Sequence, residues 1–457
     1  MRSLSLRLYG ILTWMLQPLL RYKLRQRART EPGYGFAVPE RFGHYDDDAQ
    51  DAGRHDWFWV HAVSLGEVRA AGILITELRR QHPDLRLLLT HGTATGREEG
   101  EKLLQPGDRQ VWQPWDAPGP VARFLDHFSP RLGILMETEV WPELCAACAE
   151  RSIPLVLANA RLNEKSLAGA KRLSWLARPA YASLTAVWAQ TEIDAHRLVA
   201  AGAKVSGVFG NLKFDATPDA QQLARASALR ELLSKPVIVL ASSREGEERQ
   251  LLEVLQRLYS GTPVPRVPGA PRATMSPIDQ VQWMIVPRHP QRFDEVAALV
   301  QESGFTVVRR TNADGEARTG TEIWLGDSLG EMALYYGLAD VALLGGSFEP
   351  LGGQNLIEAA ACGCPVIMGP STFNFASAAE LSAAAGAALR ADNMEQAVAI
   401  ALTLAGDPAR RGAMVDAALG FSSSNRGATA RTVAAITAII AADAVRRVDD
   451  DNNALSA

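Results

Sequence analysis

From Trp57 onward, short apolar runs alternate with amphipathic stretches. Residues 57–62, 85–90, 132–136, 154–159, 186–190 and 205–210 form one series. Residues 237–241, 283–286, 306–308, 341–344 and 366–368 form a second. Each run has the length of a strand and is apolar at consecutive positions rather than alternate ones. That pattern predicts strands covered on both faces, hence parallel sheets with helices between them. Helices are expected over 67–81, 95–104 and 141–151. Between the two series, 215–236 is polar and alanine-rich, with Pro218 and Pro236, and reads as a linker carrying a helix. The fold class is therefore α/β, with two Rossmann-like doubly wound parallel-sheet domains. Such sheets bind ligands at the carboxyl ends of their strands, so the cleft between the domains is the expected site.

The first twenty residues break this rhythm. They are apolar but interrupted by Arg7, Gln17 and Pro18, and Arg21, Lys23, Arg25, Arg27 and Arg29 follow at once. The stretch falls short of the ~20 clean apolar residues that span a bilayer. An apolar helix beside a basic cluster suits an anionic membrane surface, embedded or just spanning. The plainer alternative is a helix packed on the protein body. The expected organisation is a membrane-associated segment 1–30, a first domain 31–215, a linker 216–236, a second domain 237–442 and a frayed tail 443–457. Pro263, Pro265, Pro268, Pro271 and Pro277 mark 261–282 as a solvated insertion, since proline at that density suits neither helix nor ladder.

Composition narrows the classes. At 47% apolar and 21% charged, the chain can build ordinary cores, and a net charge of −4 argues against broad nucleic-acid binding. The cysteines come as Cys145/Cys148 in a helical pattern and Cys362/Cys364 at a strand start, with no histidine cluster beside either. They read as packed thiols in a reducing compartment, and no metal site is expected.

The richest stretch is 343–375. An apolar strand is followed by Gly345, Gly346, Gly352 and Gly353, then by a helix opening at Asn355, then by a second apolar strand. Free N–H groups and the positive end of a helix dipole suit a phosphate there. Glu358, one turn in, can accept from two ribose hydroxyls. Asn355 and Glu358 also have capping-box spacing, so the pair is equally readable as a cap. The order matches neither G-x-G-x-x-G nor G-x-x-x-x-G-K-[ST].

Other strand ends carry chemistry too. Ser64-Leu65-Gly66-Glu67 places a carboxylate in a first helical turn, where it can take a proton from a hydroxyl or close a capping box. Gly66, costly in a helix, suggests a close approach. Glu137 and Glu139 flank Thr138 before Pro142, as paired acids or as charge at a helix start. Asn159 with Arg161 and Asn211 with Lys213 suit an anionic sugar or a phosphorylated acceptor, or are surface charges. Ser242 and Ser243 can cap a helix or hold a phosphate. Arg288, beside His289, offers a bidentate fork for phosphate oxygens. Ser328 and Glu331 have capping spacing.

Taken in order, HAVSLGEV, ETEVWPEL, NARL, GNLKFD, VPRHP-x-RF, GD-x-x-GE and GGS…GG-x-N…E…MGP-x-TFNF resemble the 3-deoxy-D-manno-octulosonic acid (Kdo) transferase family of lipopolysaccharide assembly. The match covers nearly the whole chain. It implies a GT-B glycosyltransferase, with 31–215 binding acceptor and 237–442 binding the CMP-sugar donor. It further implies inverting transfer of Kdo from CMP-Kdo to the lipid A precursor lipid IVA, a tetraacyldisaccharide bisphosphate. The expected place is the cytoplasmic face of the bacterial inner membrane, against anionic lipids, with no cofactor and no catalytic metal. Carried over by motif, Glu67 matches the general base, and Glu137 and Lys213 match residues that stabilise the transition state. Pro287 and Arg288, Leu329, Gly330 and Glu331, and Asn355, Leu356, Ile357 and Glu358 match the CMP contacts. The family pattern often has His where Gln354 and Arg244 stand and Pro where Leu356 stands. Two other classes fit the fold: a sugar-nucleotide 2-epimerase acting on UDP-sugars, and a membrane-associated protein without catalysis.

Overall fold

The structure is a computed structural model and describes residues 3–45, 56–261, 278–312 and 322–455. They form two compact units, Met1–Asp215 with Arg426–Ala457, and Ala216–Asn425.

The first unit is built on seven strands: β1 (Trp57–His61), β2 (Arg86–His91), β3 (Arg109–Trp112), β4 (Leu132–Met136), β5 (Leu155–Ala160), β6 (Ala186–Ala189) and β7 (Val205–Val208). Every neighbouring pair is parallel, in the order β3-β2-β1-β4-β5-β6-β7. Strand β1 shows why the run is continuously apolar. Trp57 and Trp59 enter one core with Phe124 and Leu144, while Phe58 and Val60 enter another with Leu74 and Ile75. Each such side chain, once buried, contributes roughly 1.5–3 kcal/mol. The chain reverses direction across the sheet at β1 and β4, so the loops after those strands flank the switch point, where such sheets bind ligands.

The second unit repeats the plan with β8 (Val237–Ser243), β9 (Gln282–Pro287), β10 (Thr306–Arg309), β11 (Glu322–Leu325), β12 (Val341–Leu344), β13 (Val366–Met368) and β14 (Ala388–Arg390). Its order is β10-β11-β9-β8-β12-β13-β14, again parallel throughout. Strands β3, β11 and β14 fall outside the predicted series. Arg109, Gln110 and Glu322 interrupt the apolar signal of the first two, and β14 is three residues long at a sheet edge.

Three expected boundaries move. The helix Ala428–Leu455 belongs to the first unit, where Val433, Ile436 and Ile440 join the core containing Leu74 and Ile75. Asp215 fixes its start by accepting from the N–H groups of Gly427 and Thr429, both at 2.5 Å. The second domain therefore does not reach 442, and the stretch expected to be a frayed tail stays helical to Leu455. The expected linker is part of the second unit. Its helix Ala220–Glu231 buries Ala226 against Leu334 and Leu338, and Gly337 lets the two helices approach, since a Cβ there would sit 2.9 Å from Ala226. Of the proline-rich insertion, 262–277 lies outside the described residues.

The N-terminal segment is two helices, Leu4–Met15 and Gln17–Thr30, with Pro18 at the start of the second. The first is pinned to the body on one face. Tyr9 donates to Asp116 Oδ2 at 2.8 Å, Trp115 Nε1 donates to the Thr13 carbonyl at 3.0 Å, and Gly10 lies against Pro118. On the other face Leu4, Leu8, Ile11, Leu12 and Met15 are all more than half exposed. The packed reading holds for the first of these faces, and the second stays apolar and open. Among the described residues no helix is long and apolar enough to cross a membrane.

Candidate active site

In the first unit the loops after β1, β4 and β5 are neighbours because those strands are neighbours. Ser64 caps the helix Leu65–Gln81, accepting from the Glu67 N–H at 3.4 Å. The Glu67 carboxylate turns back, its Oε1 accepting from the Ser64 hydroxyl and its Oε2 from the Val63 N–H, both at 2.9 Å. The cap is therefore real. It also buries the carboxylate, and burial, followed by the nearby charges of Glu137 and Glu139, holds Glu67 above the usual carboxylate range against the bonds from Val63 and Ser64. Gly66 faces open space: a Cβ there would meet nothing within 4 Å.

Glu137 ends β4 with φ at +56°, a conformation that strains a side chain with a Cβ. Its backbone is held on both sides, its N–H donating to the Ala158 carbonyl at 3.0 Å and its carbonyl accepting from the Arg161 N–H at 3.2 Å. The carboxylate is 3% exposed and paired twice, with Arg161 Nε at 2.6 Å and Lys213 Nζ at 3.2 Å. Arg161 and Lys213 are thus not isolated surface charges. Glu139 points elsewhere, accepting from Trp141 Nε1 at 3.0 Å. The hydrogen bonds at the start of the next helix go to a different acid. Asp116 takes that place, accepting from the Glu143 and Leu144 N–H groups, and burial lifts it to about 6.

The two asparagines of NARL and GNLK are scaffold. Asn159, at φ +53°, accepts the Leu212 N–H on Oδ1 at 3.0 Å, and its carbonyl accepts from Gln190 Nε2. Asn211 donates to Gln190 Oε1 and accepts the Lys213 N–H at 3.0 Å. This relay places Lys213 opposite Glu137.

In the second unit the motifs expected to contact the nucleotide meet through sheet order. Strands β11, β9, β8 and β12 are consecutive neighbours. Their carboxyl ends carry Leu329–Glu331, then Pro287 and Arg288, then Ser243 and Arg244, then the Gly345–Asn355 loop. Arg288 N–H donates to the Ser243 carbonyl at 3.0 Å, and Gly345 N–H to the Ala241 carbonyl at 2.9 Å. A Cβ on Gly345 would lie 2.3 Å from the Ser242 carbonyl oxygen, so only glycine fits. Burial first, then Arg244, Arg288 and Arg292, hold the His289 imidazole below its usual range. Such a cluster suits an anionic group.

Asn355 caps the helix Leu356–Ala361 by accepting from the Ile357 N–H at 3.2 Å. Leu356 and Ile357 are about 1% exposed, so their side chains belong to the core and any ligand contact comes from their backbone. Leu329 is well exposed and Gly330 has φ +78°. Glu331 is paired with Arg310 Nη2 at 3.1 Å and accepts from the Ser328 hydroxyl, while the helix itself starts later, at Met332.

Three groups escaped the sequence reading. Glu247 is fully buried and accepts three backbone N–H bonds, from Arg244 at 2.8 Å, Gly346 at 2.7 Å and Phe348 at 3.0 Å, tying the β8 and β12 loops together. Glu248, equally buried, takes the Ser243 hydroxyl at 2.7 Å and Arg292 through both oxygens. His61, buried at the end of β1, holds Nδ1 2.9 Å from the Thr90 hydroxyl and aims Nε2 at Glu139 Oε2, 3.8 Å away. The doubled acid of GEE, shortly after a strand, was the available signal for the first two. The four cysteines are free, and burial raises all four thiols.

Residues 37–216 match a family model described as 3-deoxy-D-manno-octulosonic-acid transferase (kdotransferase). The chain is 45% identical over 430 residues to a 3-deoxy-D-manno-octulosonic acid transferase of Bordetella pertussis, covering 92% of this chain and 96% of that one. It is 31% identical over 371 residues to the Haemophilus influenzae protein of the same name, covering 80% and 82%. Among solved structures it is similar to a glycosyltransferase of Rickettsia africae, with a TM-score of 0.52 at 12% identity, covering 85% of this chain and 99% of that one. At that identity the likeness concerns the fold, two parallel-sheet units of the GT-B kind.

Proposed function

The chain belongs to the 3-deoxy-D-manno-octulosonic acid (Kdo) transferase family, and from that premise we propose inverting transfer of Kdo from CMP-Kdo to lipid IVA without a divalent metal. Glu67 takes the proton of the acceptor hydroxyl. The oxygen attacks the anomeric carbon of Kdo from the face opposite the phosphate, and the bond to CMP breaks with its electron pair staying on the phosphate. Burial suits Glu67 to this task, because a carboxylate raised towards neutrality is a stronger base. Lys213 and Arg161, fixed by Glu137, present positive charge to a phosphorylated acceptor and to the charge developing in the transition state.

On the donor side, Arg288 and the backbone around Leu329–Glu331 and Asn355–Ile357 hold the nucleotide, and Glu358 accepts the ribose hydroxyls. The leaving group is a monophosphate whose charge a guanidinium fork can meet, which is what makes a metal dispensable in this reading. The exposed apolar face of Leu4–Met15, beside the basic run that follows, would keep the enzyme at an anionic cytoplasmic leaflet, where the acceptor resides. The observation that supports the catalytic reading most is Glu67 itself, a buried carboxylate beside a doubly paired Glu137 at the switch point of the first sheet.

Purified protein incubated with CMP-Kdo and a tetraacylated disaccharide bisphosphate should yield a product heavier by one or more Kdo units in mass spectrometry. Turnover of UDP-N-acetylglucosamine in its place would favour the epimerase.

A further inference from the structure

We propose that a cavity at the carboxyl ends of β12, β13 and β14 is the subsite for the carboxylated sugar of the donor; the inference rests on the donor reading above. The cavity measures ≈ 620 Å³, and its walls include Phe348, Glu349, Ser371, Thr372, Phe373 and Arg390. That is within the roughly 300–1,000 Å³ of small-molecule sites.

Its position suits a sugar attached to the nucleotide. The sheet order β11-β9-β8-β12-β13-β14 puts Pro287 and Arg288 at β9 and the cavity at β12 to β14. Strand β13 is one spacing of ~4.8 Å from β12, whose loop leads to Asn355 and Glu358, so a sugar joined to the nucleotide through one phosphate can reach the cavity. Glu358, the ribose candidate, follows the β12 loop. The loop that enters the ribose helix is also bonded to the cavity wall. Gly352 N–H donates to Ser371 Oγ at 3.0 Å, and Asn374 N–H donates to the Gly352 carbonyl at 3.0 Å. Gly352 has φ +87°, and a Cβ on it would lie 2.6 Å from the Phe373 ring, so glycine lets that ring sit against the loop.

The wall chemistry is that of a polyhydroxylated acid. Phe373 is 65% exposed, an aromatic face held open at a polar rim, where the C–H side of a sugar ring can stack. Arg390 donates Nη1 to Thr372 Oγ1 at 3.3 Å and Nη2 to Glu380 Oε1 at 2.6 Å among the described residues, and keeps donors for a further carboxylate. Its partner Glu380 is 73% exposed, a weak competitor for a ligand carboxylate. Glu349, fixed by Gln250 Nε2 at 2.5 Å, offers a carboxylate to sugar hydroxyls.

The test is kinetic, with purified full-length Phe373→Ala, Phe373→Tyr and Arg390→Gln, varying CMP-Kdo and titrating CMP by calorimetry. Phe373→Ala and Arg390→Gln should each raise the donor KM by about 10-fold, the loss of one good contact. Phe373→Tyr should keep the wild-type KM, and CMP affinity should be unchanged in all three. An unchanged donor KM in both disruptive variants, beside normal wild-type turnover, overturns the subsite alone. An equal loss of CMP affinity also overturns it, by assigning the patch to the nucleotide. Wild-type protein that binds CMP but turns over no CMP-Kdo overturns the donor reading and the subsite with it.

Discussion

Lys213 Nζ donates to Glu137 Oε1 at 3.2 Å across 76 residues of chain, and the carboxylate it meets is 3% exposed. Replacing Lys213 with Met leaves that buried charge with Arg161, which is itself half exposed. A lost hydrogen bond to a buried charge costs about 1.5–3 kcal/mol, and the low end applies because Lys213 is one-fifth exposed. Lys213→Met should lower the free energy of unfolding measured in urea by that amount and cut kcat, whereas Arg161→Gln should cost less stability. Equal effects of the two variants would mean that the pairs are interchangeable surface bridges.

Glu67 gives a pH signature. Its folded pKa lies above its unfolded value, chiefly through burial. The proton is then favoured in the folded state. Relative to an unshifted carboxylate, the protein carries no penalty below the unfolded pKa. The penalty grows as pH rises towards the folded pKa and stays constant beyond it. Glu67→Gln should remove this slope and leave stability at neutral pH no lower than wild type, apart from the weakened cap. The same substitution should cost at least ~100-fold in turnover, the low end for a general base. The acid limb of wild-type kcat/KM should fall above the usual carboxylate range. Normal turnover in the variant would reduce Glu67 to a cap.

The continuous apolar runs disclosed the parallel sheets, because strands such as Val341–Leu344 are buried on both faces and need no polar alternation. Motif order disclosed the site-bearing loops, since every one follows a strand. What stayed hidden depended on partners distant in the chain. Asn159 and Asn211 read as ligands for an anion because nothing in their spacing names Leu212 or Gln190 as their partners. Ser64 and Glu67 offered a cap and a base as rivals; the fold shows the cap, and the same geometry buries the carboxylate that the base reading needs. The helix Ala428–Leu455 shows an apolar stripe, but a stripe does not say which unit it covers.

Glu247 should act as a positioning residue for the donor loops. Its three N–H donors come from Arg244, Gly346 and Phe348, on two different loops. A glutamine keeps one acceptor oxygen and brings an amide that cannot accept, so at least one N–H loses its partner, at about 1–3 kcal/mol. Glu247→Gln should raise the donor KM more than it lowers kcat, and weaken CMP binding by calorimetry. A variant with wild-type CMP affinity would show that the loops hold their shape without it.

The N-terminal helix allows docking and folding to be tested apart, because one face is pinned to the body and the other is apolar and exposed. Tyr9→Phe removes the donor to Asp116, a carboxylate that also receives the Glu143 and Leu144 N–H groups, so the cost should appear as stability, about 1–3 kcal/mol. Leu8 and Leu12, one turn apart on the open face, are 57% and 56% exposed and support no core. Leu8→Asp with Leu12→Asp should change stability by less than roughly 0.5 kcal/mol per site. The pair should nonetheless lower co-sedimentation with vesicles containing anionic lipid by at least about 10-fold, since each buried leucine is worth ~1.5–3 kcal/mol at a lipid surface. Added salt should weaken wild-type binding, through the arginines of Gln17–Thr30. Vesicle binding that survives both aspartates would remove this face as the docking surface, while Tyr9→Phe would still report on the latch beneath it.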